Sequence, residues 1–245
     1  MKKTILTILL LAFCVSISGA GITDKLRAVI AAKNAGGGGA CHSGPEYSDG
    51  FATPDNFTSE NYGFTTPSGY PVVAFVGEAE HAWYDGYTTF TATQYGCFEI
   101  TSVGGSAFDE SGMVFRWTDE GARYLLKYTQ SEGYLGWWYH NADTNVTSNG
   151  TLEGTSSGSI TSGNGDRICF TIQGENAAIK LSVWENPTNN YPCDVDNWDS
   201  SSDAAEWIIS DPVNEVNSGA LMGIYLYESG SLDIQFDNVT FGDLD

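Results

Sequence analysis

The chain is 245 residues long and strongly acidic, with 10 Lys and Arg against 31 Asp and Glu and a formal net charge of −21. Nucleic acid and anionic membrane surfaces are excluded as partners, because both are gripped by clustered Lys and Arg. The length and the density of Gly, Ser, Thr and Asn suit one β-rich domain after a short leader.

Lys2 and Lys3 precede an apolar run from Ile5 to Val15, and Ser18-Gly19-Ala20 offers small residues for cleavage after Ala20. This reads as a bacterial-type secretory signal peptide over residues 1–20. The apolar run is far shorter than the roughly 20 residues a bilayer span needs, so no membrane span is expected. Residues 21–35 read as a short basic helix: Ile22, Leu26, Val29 and Ile30 share a face, and Lys25, Arg27 and Lys33 outnumber Asp24. A Gly-rich linker over 36–44 follows. Beyond it the only cations are Arg116, Arg123, Lys127, Arg167 and Lys180, so the charge changes sign at the linker. A basic helix tethered to an acidic domain suggests self-assembly or docking through 21–35; a passive spacer is the plainer alternative.

From residue 45 onward short alternating runs recur between turn residues. Strands are expected over 71–77, 88–93, 96–103, 112–118, 122–129, 133–140, 149–153, 167–173, 177–184, 206–210, 220–227 and 231–241. On 112–118, strict alternation puts Met113, Phe115 and Trp117 on one face and Val114 and Arg116 on the other. On 133–140, Tyr134, Gly136, Trp138 and His140 oppose Leu135, Trp137 and Tyr139. Gly223 to Val239 reads as a closing hairpin around a Glu-Ser-Gly-Ser turn. Asn186 to Asp203 is a long insertion of the kind that often carries function.

Outside the leader the cysteines are Cys41, Cys97, Cys169 and Cys193. An even number in a secreted chain suggests two disulfides, with three possible pairings. A strand hairpin would bring Cys169 to Cys193, the pairing favoured here. No CxxC spacing supports zinc.

Several of these stretches together resemble the concanavalin A-like lectin/glucanase superfamily, in particular its laminin G-like members. They are Tyr47-Ser48-Asp49-Gly50-Phe51, Cys97-Phe98-Glu99-Ile100-Thr101, Ser111 to Trp117, Arg123 to Tyr128, Tyr134 to Tyr139, Gly165 to Phe170, Ala178 to Trp184 and Gly219 to Gly242. The resemblance covers roughly residues 45–245. It implies an all-β, antiparallel two-sheet jelly-roll sandwich and a secreted, non-catalytic module that binds carbohydrate or a glycosylated surface. Glycosidases of the superfamily carry Glu-x-Asp-x-x-Glu. The nearest string here is Ser231-Leu232-Asp233-Ile234-Gln235-Phe236, which lacks both glutamates. A surface-layer or assembly subunit and a hydrolase or lyase with an unrecognised site are the alternatives.

Sugar rings stack on aromatic faces while polar neighbours bind their hydroxyls. The candidate ligand-binding residues are therefore Trp83, Tyr84, Arg116, Trp138 and His140. The resemblance also implies a structural calcium, which takes six to eight oxygens. Asp194, Asp196 and Asp199 form the densest acidic group, and Asp49 with Asp237 is a second option where the domain's ends meet. For each of these residues, core packing or a solvated loop is the plainer reading.

Overall fold

The computed structural model describes residues 46–49, 57–59, 64–65, 72–73, 79–84, 90–103, 110–118, 121–129, 133–141, 150–156, 160, 163, 165–189, 191–198, 204–227 and 234–244. The chain divides into two compact units, Met1–Cys41 and His42–Asp245, and every described residue belongs to the second. The leader, the helix over 21–35 and the linker over 36–44 lie outside the described residues.

In chain order the strands are β1 Glu46–Asp49, β2 Phe57–Ser59, β3 Phe64–Thr65, β4 Val72–Val73 and β5 Ala79–Tyr84. Then come β6 Gln94–Val103, β7 Glu110–Trp117, β8 Arg123–Thr129, β9 Tyr134–His140 and β10 Thr151–Thr155. The last are β11 Arg167–Gln173, β12 Lys180–Glu185, β13 Trp207–Ser210, β14 Leu221–Tyr227 and β15 Ile234–Asp243. A 3-10 turn, Asn176–Ala178, breaks the start of the strand expected over 177–184. No helix among the described residues is long and apolar enough to cross a membrane.

Two antiparallel sheets form a jelly-roll sandwich, the architecture the lectin-like resemblance implies. One has six strands in the order β1-β15-β6-β11-β12-β13, and the other has seven, β10-β9-β8-β7-β14-β5-β2. Strands β3 and β4 pair separately. Alternation drives the stacking. Phe98, Ile100, Ile168, Phe170, Ile172, Leu181, Val183 and Phe241 of the first sheet meet Met113, Phe115, Tyr124, Leu126, Leu135, Trp137 and Ile224 of the second in one buried cluster. Each such side chain contributes about 1.5–3 kcal/mol by leaving water.

The expected closing hairpin does not form. Strand β14 pairs with β5 and β7, whereas β15 pairs with β1 and β6 in the other sheet. Both edges of β14 are taken, so the chain crosses between sheets instead of folding back. Residues 90–93, expected in a strand, run as a loop, and β5 lies where no strand was expected.

Strand β7 carries an extra residue near its end. Its register against β14 slips between Val114 opposite Gly223 and Trp117 opposite Leu221, and Arg116 there has φ +49°. This bulge reverses the alternation beyond Phe115. Trp117 joins Val114 on the outer face of the seven-stranded sheet, not Met113 and Phe115 in the core.

The insertion after Asn186 folds over the outer face of the six-stranded sheet. Trp198 is buried 5.4 Å from the Trp184 ring and 6.4 Å from the Tyr95 ring, and its Nε1–H donates to the Asn189 carbonyl at 2.8 Å. The Thr171 hydroxyl donates to the Val195 carbonyl at 2.7 Å. Cys193 within the insertion is disulfide-bonded.

The disulfide of Cys169 is with Cys97, not Cys193. The two stand directly opposite on β11 and β6 with Cα atoms 4.1 Å apart, which register alone brings about.

Candidate functional site

The outer face of the seven-stranded sheet carries the densest group of functional side chains. Successive residues alternate across each strand, so β5 offers His81 and Trp83, and β14 offers Leu221, Tyr225 and Tyr227. Strand β7 adds Glu110, Val114 and Trp117; β8 adds Arg123, Leu125 and Lys127; β9 adds Trp138 and His140. Val114, Trp117, Leu125 and Tyr225 form a buried apolar floor, against which Trp83, Trp138, Leu221 and Tyr227 pack while staying partly exposed.

This face is concave. His81 and His140 stand on strands four spacings apart, roughly 19 Å in a flat sheet. Their rings lie 5.6 Å apart, which the side chains alone do not span. The sheet therefore curls around them. Gly112 and Gly223 make the curl possible: a Cβ on Gly112 would run into the Leu126 carbonyl oxygen, and one on Gly223 into that of Ala82.

Charge and aromatic rings interleave on the floor. The Arg123 guanidinium carbon lies 4.4 Å from the centre of the Trp117 ring. The Lys127 ammonium lies 4.4 Å from the Trp138 ring and 5.3 Å from that of Tyr225. It donates to Glu110 Oε2 at 2.6 Å, and the Tyr225 hydroxyl donates to the same oxygen at 2.9 Å. Thr129 Oγ1 reaches Glu110 Oε1 at 3.4 Å. His81 sits 5.0 Å from Tyr225 and 5.8 Å from Trp117, ring to ring.

These surroundings set proton affinities. Burial, then the charges of Arg123 and Lys127, hold the His81 imidazole well below its ordinary range, so it is neutral. Burial, then the Glu110 carboxylate, push the Tyr225 phenol well above its ordinary value. The floor thus offers fixed donors, one carboxylate held by three partners and several ring faces.

Of the residues singled out from sequence, Trp83, Trp138 and His140 meet on this face. Tyr84 points the other way, into the core, with its ring 4.7 Å from Tyr47 and 5.8 Å from Phe241. Arg116 is also off the face. Its Nε, Nη1 and Nη2 donate to the carbonyls of Ala92, Val216 and Gly174 at 2.7, 3.0 and 2.8 Å. Its backbone N–H donates to Gln94 Oε1 at 2.9 Å. Burial lowers its pKa from the ordinary guanidinium value to about 10, so it stays charged at neutral pH. The bulge at φ +49° turns this side chain from the outer face to the sandwich interior.

Sequence reading missed His81, Glu110, Trp117, Arg123, Lys127 and Tyr225. The alternation of Arg123, Leu125 and Lys127 against Tyr124, Leu126 and Tyr128 carried a signal for two of them. Strand β5 gave none, since Glu80 and His81 are polar at buried positions.

The acidic candidates are dispersed. Asp194 Oδ1 accepts from the Asp196 backbone N–H at 2.7 Å, and both its oxygens accept from the Asn197 side chain. Those hydrogen bonds, chiefly that of Asn197, lower the Asp194 pKa. Asp196 pairs with Lys180. Asp49 lies opposite Val239, and Asp237 opposite Glu99. Asp199 lies outside the described residues. No group of three or more His, Cys, Asp or Glu placed to hold a metal occurs among the described residues.

No protein-family model matches the chain, and no curated protein sequence matches it. Solved structures with a similar course include the carbohydrate-binding module CBM66 from Bacillus subtilis, at 9% identity and TM-score 0.46, over 77% of this chain and 93% of that one. The VIP36 exoplasmic/lumenal domain in its Ca2+/Man3GlcNAc-bound form has 9% identity and TM-score 0.49, over 82% of this chain and 88% of its own. A prokaryotic β-1,3-1,4-glucanase (lichenase) derived from a mouse hindgut metagenome has 9% identity and TM-score 0.46, over 82% and 99%. None of these likenesses bears on what this chain binds.

Proposed function

We propose that the chain is a secreted glycan-binding module whose ligand lies on the concave face of the seven-stranded sheet. The observation that carries this is the placement of Trp83 and Trp138. Both are partly exposed and pack against the buried apolar floor of Val114, Trp117, Leu125 and Tyr225, beside which Lys127, Glu110 and Tyr225 are joined by hydrogen bonds. Aromatic faces beside convergent hydrogen-bonding groups are what a saccharide cleft requires. The cross-strand disulfide Cys97–Cys169 supports an oxidising compartment, in keeping with the secretory leader.

A glycan array probed with the wild-type chain tests this reading, with Trp138→Ala in parallel. Binding that disappears in the variant supports it. Binding of no glycan by the wild type would sink it. A structural calcium is a separate part of the proposal, with Asp194 and Asp196 as its nearest described candidates. Thermal melting in calcium against a chelator tests it: a higher Tm with calcium is expected, and an unchanged Tm removes the metal.

A further inference from the structure

We infer that the side of the sandwich where β10 and β13 end their sheets is a docking surface for residues 21–35 of a second copy of this chain.

The surface is a seam between two sheet ends. Among the described residues β10 pairs only with β9, and β13 only with β12. Glu153 of β10 accepts the backbone N–H groups of Val213 and Asn214, just beyond β13, at 2.6 and 3.2 Å. A Cβ on Gly154 would run into Ile209 Cδ1, so the two strands pack against each other. The exposed large apolar side chains among the described residues are Leu152, Ile208 and Val213, the last two at 56% and 85%, and all three lie at this seam. Sheet ends are commonly blunted by lysine or proline, which block pairing with another chain. Neither β10 nor β13 carries one.

Acidic residues frame the apolar ones. From Glu206 to Glu215 the exposed side chains run Glu206, Ile208, Ser210, Asp211, Val213 and Glu215. The described cations are engaged elsewhere. Arg116 binds carbonyls inside the sandwich, and Arg123 and Lys127 are buried on the concave face. Arg167 reaches the Asn189 carbonyl, and Lys180 pairs with Asp196.

Residues 21–35 lie outside the described residues, and their sequence supplies the complement. Once the leader is removed, the chain's remaining cations are Lys25, Arg27 and Lys33. At about 100° per helical residue, Ile22, Leu26, Val29 and Ile30 form one stripe, with Lys25 on one flank and Arg27 on the other. An apolar stripe between cations fits an apolar ridge between carboxylates in both respects. A second copy is the occupant because the segment precedes β1, which ends the six-stranded sheet opposite β13. Five strand spacings, roughly 24 Å, separate those two ends. The contact is head-to-tail, so it closes into a ring or a reciprocal dimer or extends as a filament.

Sedimentation velocity on the secreted chain, freed of its leader, tests this between about 1 μM and about 1 mM. The wild type is expected to associate. Ile208→Glu/Val213→Glu, at exposed positions, and Lys25→Glu/Lys33→Glu are each expected to weaken association at least about tenfold. Adding Glu206→Lys/Glu215→Lys to the second variant restores opposite charges and is expected to recover association to within about tenfold of the wild type. Circular dichroism checks that each variant is folded. A wild type that stays monomeric overturns the inference, including the case in which the segment docks on its own chain. Association that persists when Lys25 and Lys33 are reversed assigns the contact to other surfaces and also overturns it. So does a folded four-fold variant that associates no better than Lys25→Glu/Lys33→Glu.

Discussion

Arg116 shows how one side chain holds several loops in place. Its guanidinium joins the carbonyls of Ala92, Val216 and Gly174, while Gln94 accepts its backbone N–H and donates to Thr91 and Gly219 carbonyls. Arg116→Ala leaves three carbonyls without this donor. It is expected to cost about 3 kcal/mol or more in urea unfolding, with glycan affinity of the folded protein unchanged. Arg116→Lys recovers little, because one ammonium does not reach three directions in a plane. His81 makes a second residue-scale case. Its folded-state pKa lies well below the ordinary 6.5. The unfolded chain therefore takes up this proton first as pH falls. The contribution of His81 is fully present above pH 6.5 and is lost below it, at up to about 1.4 kcal/mol per pH unit. Comparing wild type with His81→Phe by denaturant unfolding between pH 4 and pH 8 is expected to show a steeper loss of stability below pH 6.5 in the wild type, the excess being the His81 contribution; equal slopes contradict it.

At the scale of elements, the concave face depends on strands approaching closely at glycine. Gly223→Ala places a Cβ against the Ala82 carbonyl and is expected to separate β14 from β5, costing about 2 kcal/mol or more. Thermal melting checks this, and an unchanged Tm would show that the curl tolerates the methyl group. Much of this architecture was legible in sequence. The alternation on β9 placed Trp138 and His140 opposite Leu135, Trp137 and Tyr139, because strand periodicity is local. Strand β11 matched its expected limits for the same reason. What sequence did not reveal depends on partners. The bulge at Arg116 exists only in register with β14, so strict alternation puts Trp117 and Arg116 on the wrong faces. The β14–β15 hairpin failed because sheet membership is decided by which edges are already paired. The Cys97–Cys169 bridge likewise follows from the register of β6 on β11. On the concave face His81, Arg123 and Lys127 escape pattern reading because they are polar residues at buried positions, which alternation assigns to solvent.

Across the whole molecule, the two outer faces of the sandwich differ. The six-stranded sheet is covered by the insertion through Trp198 and Val195, whereas the seven-stranded sheet curls around its own aromatic and charged residues. The proposed ligand site lies on the second. Titration calorimetry with one array-selected oligosaccharide tests that placement directly, using wild type, Trp138→Ala on the concave face and Ile208→Ser on the six-stranded sheet, where Ile208 is 56% exposed. A loss of about tenfold or more is expected for Trp138→Ala, and wild-type affinity for Ile208→Ser. Wild-type affinity in Trp138→Ala, with the fold intact by circular dichroism, would contradict it.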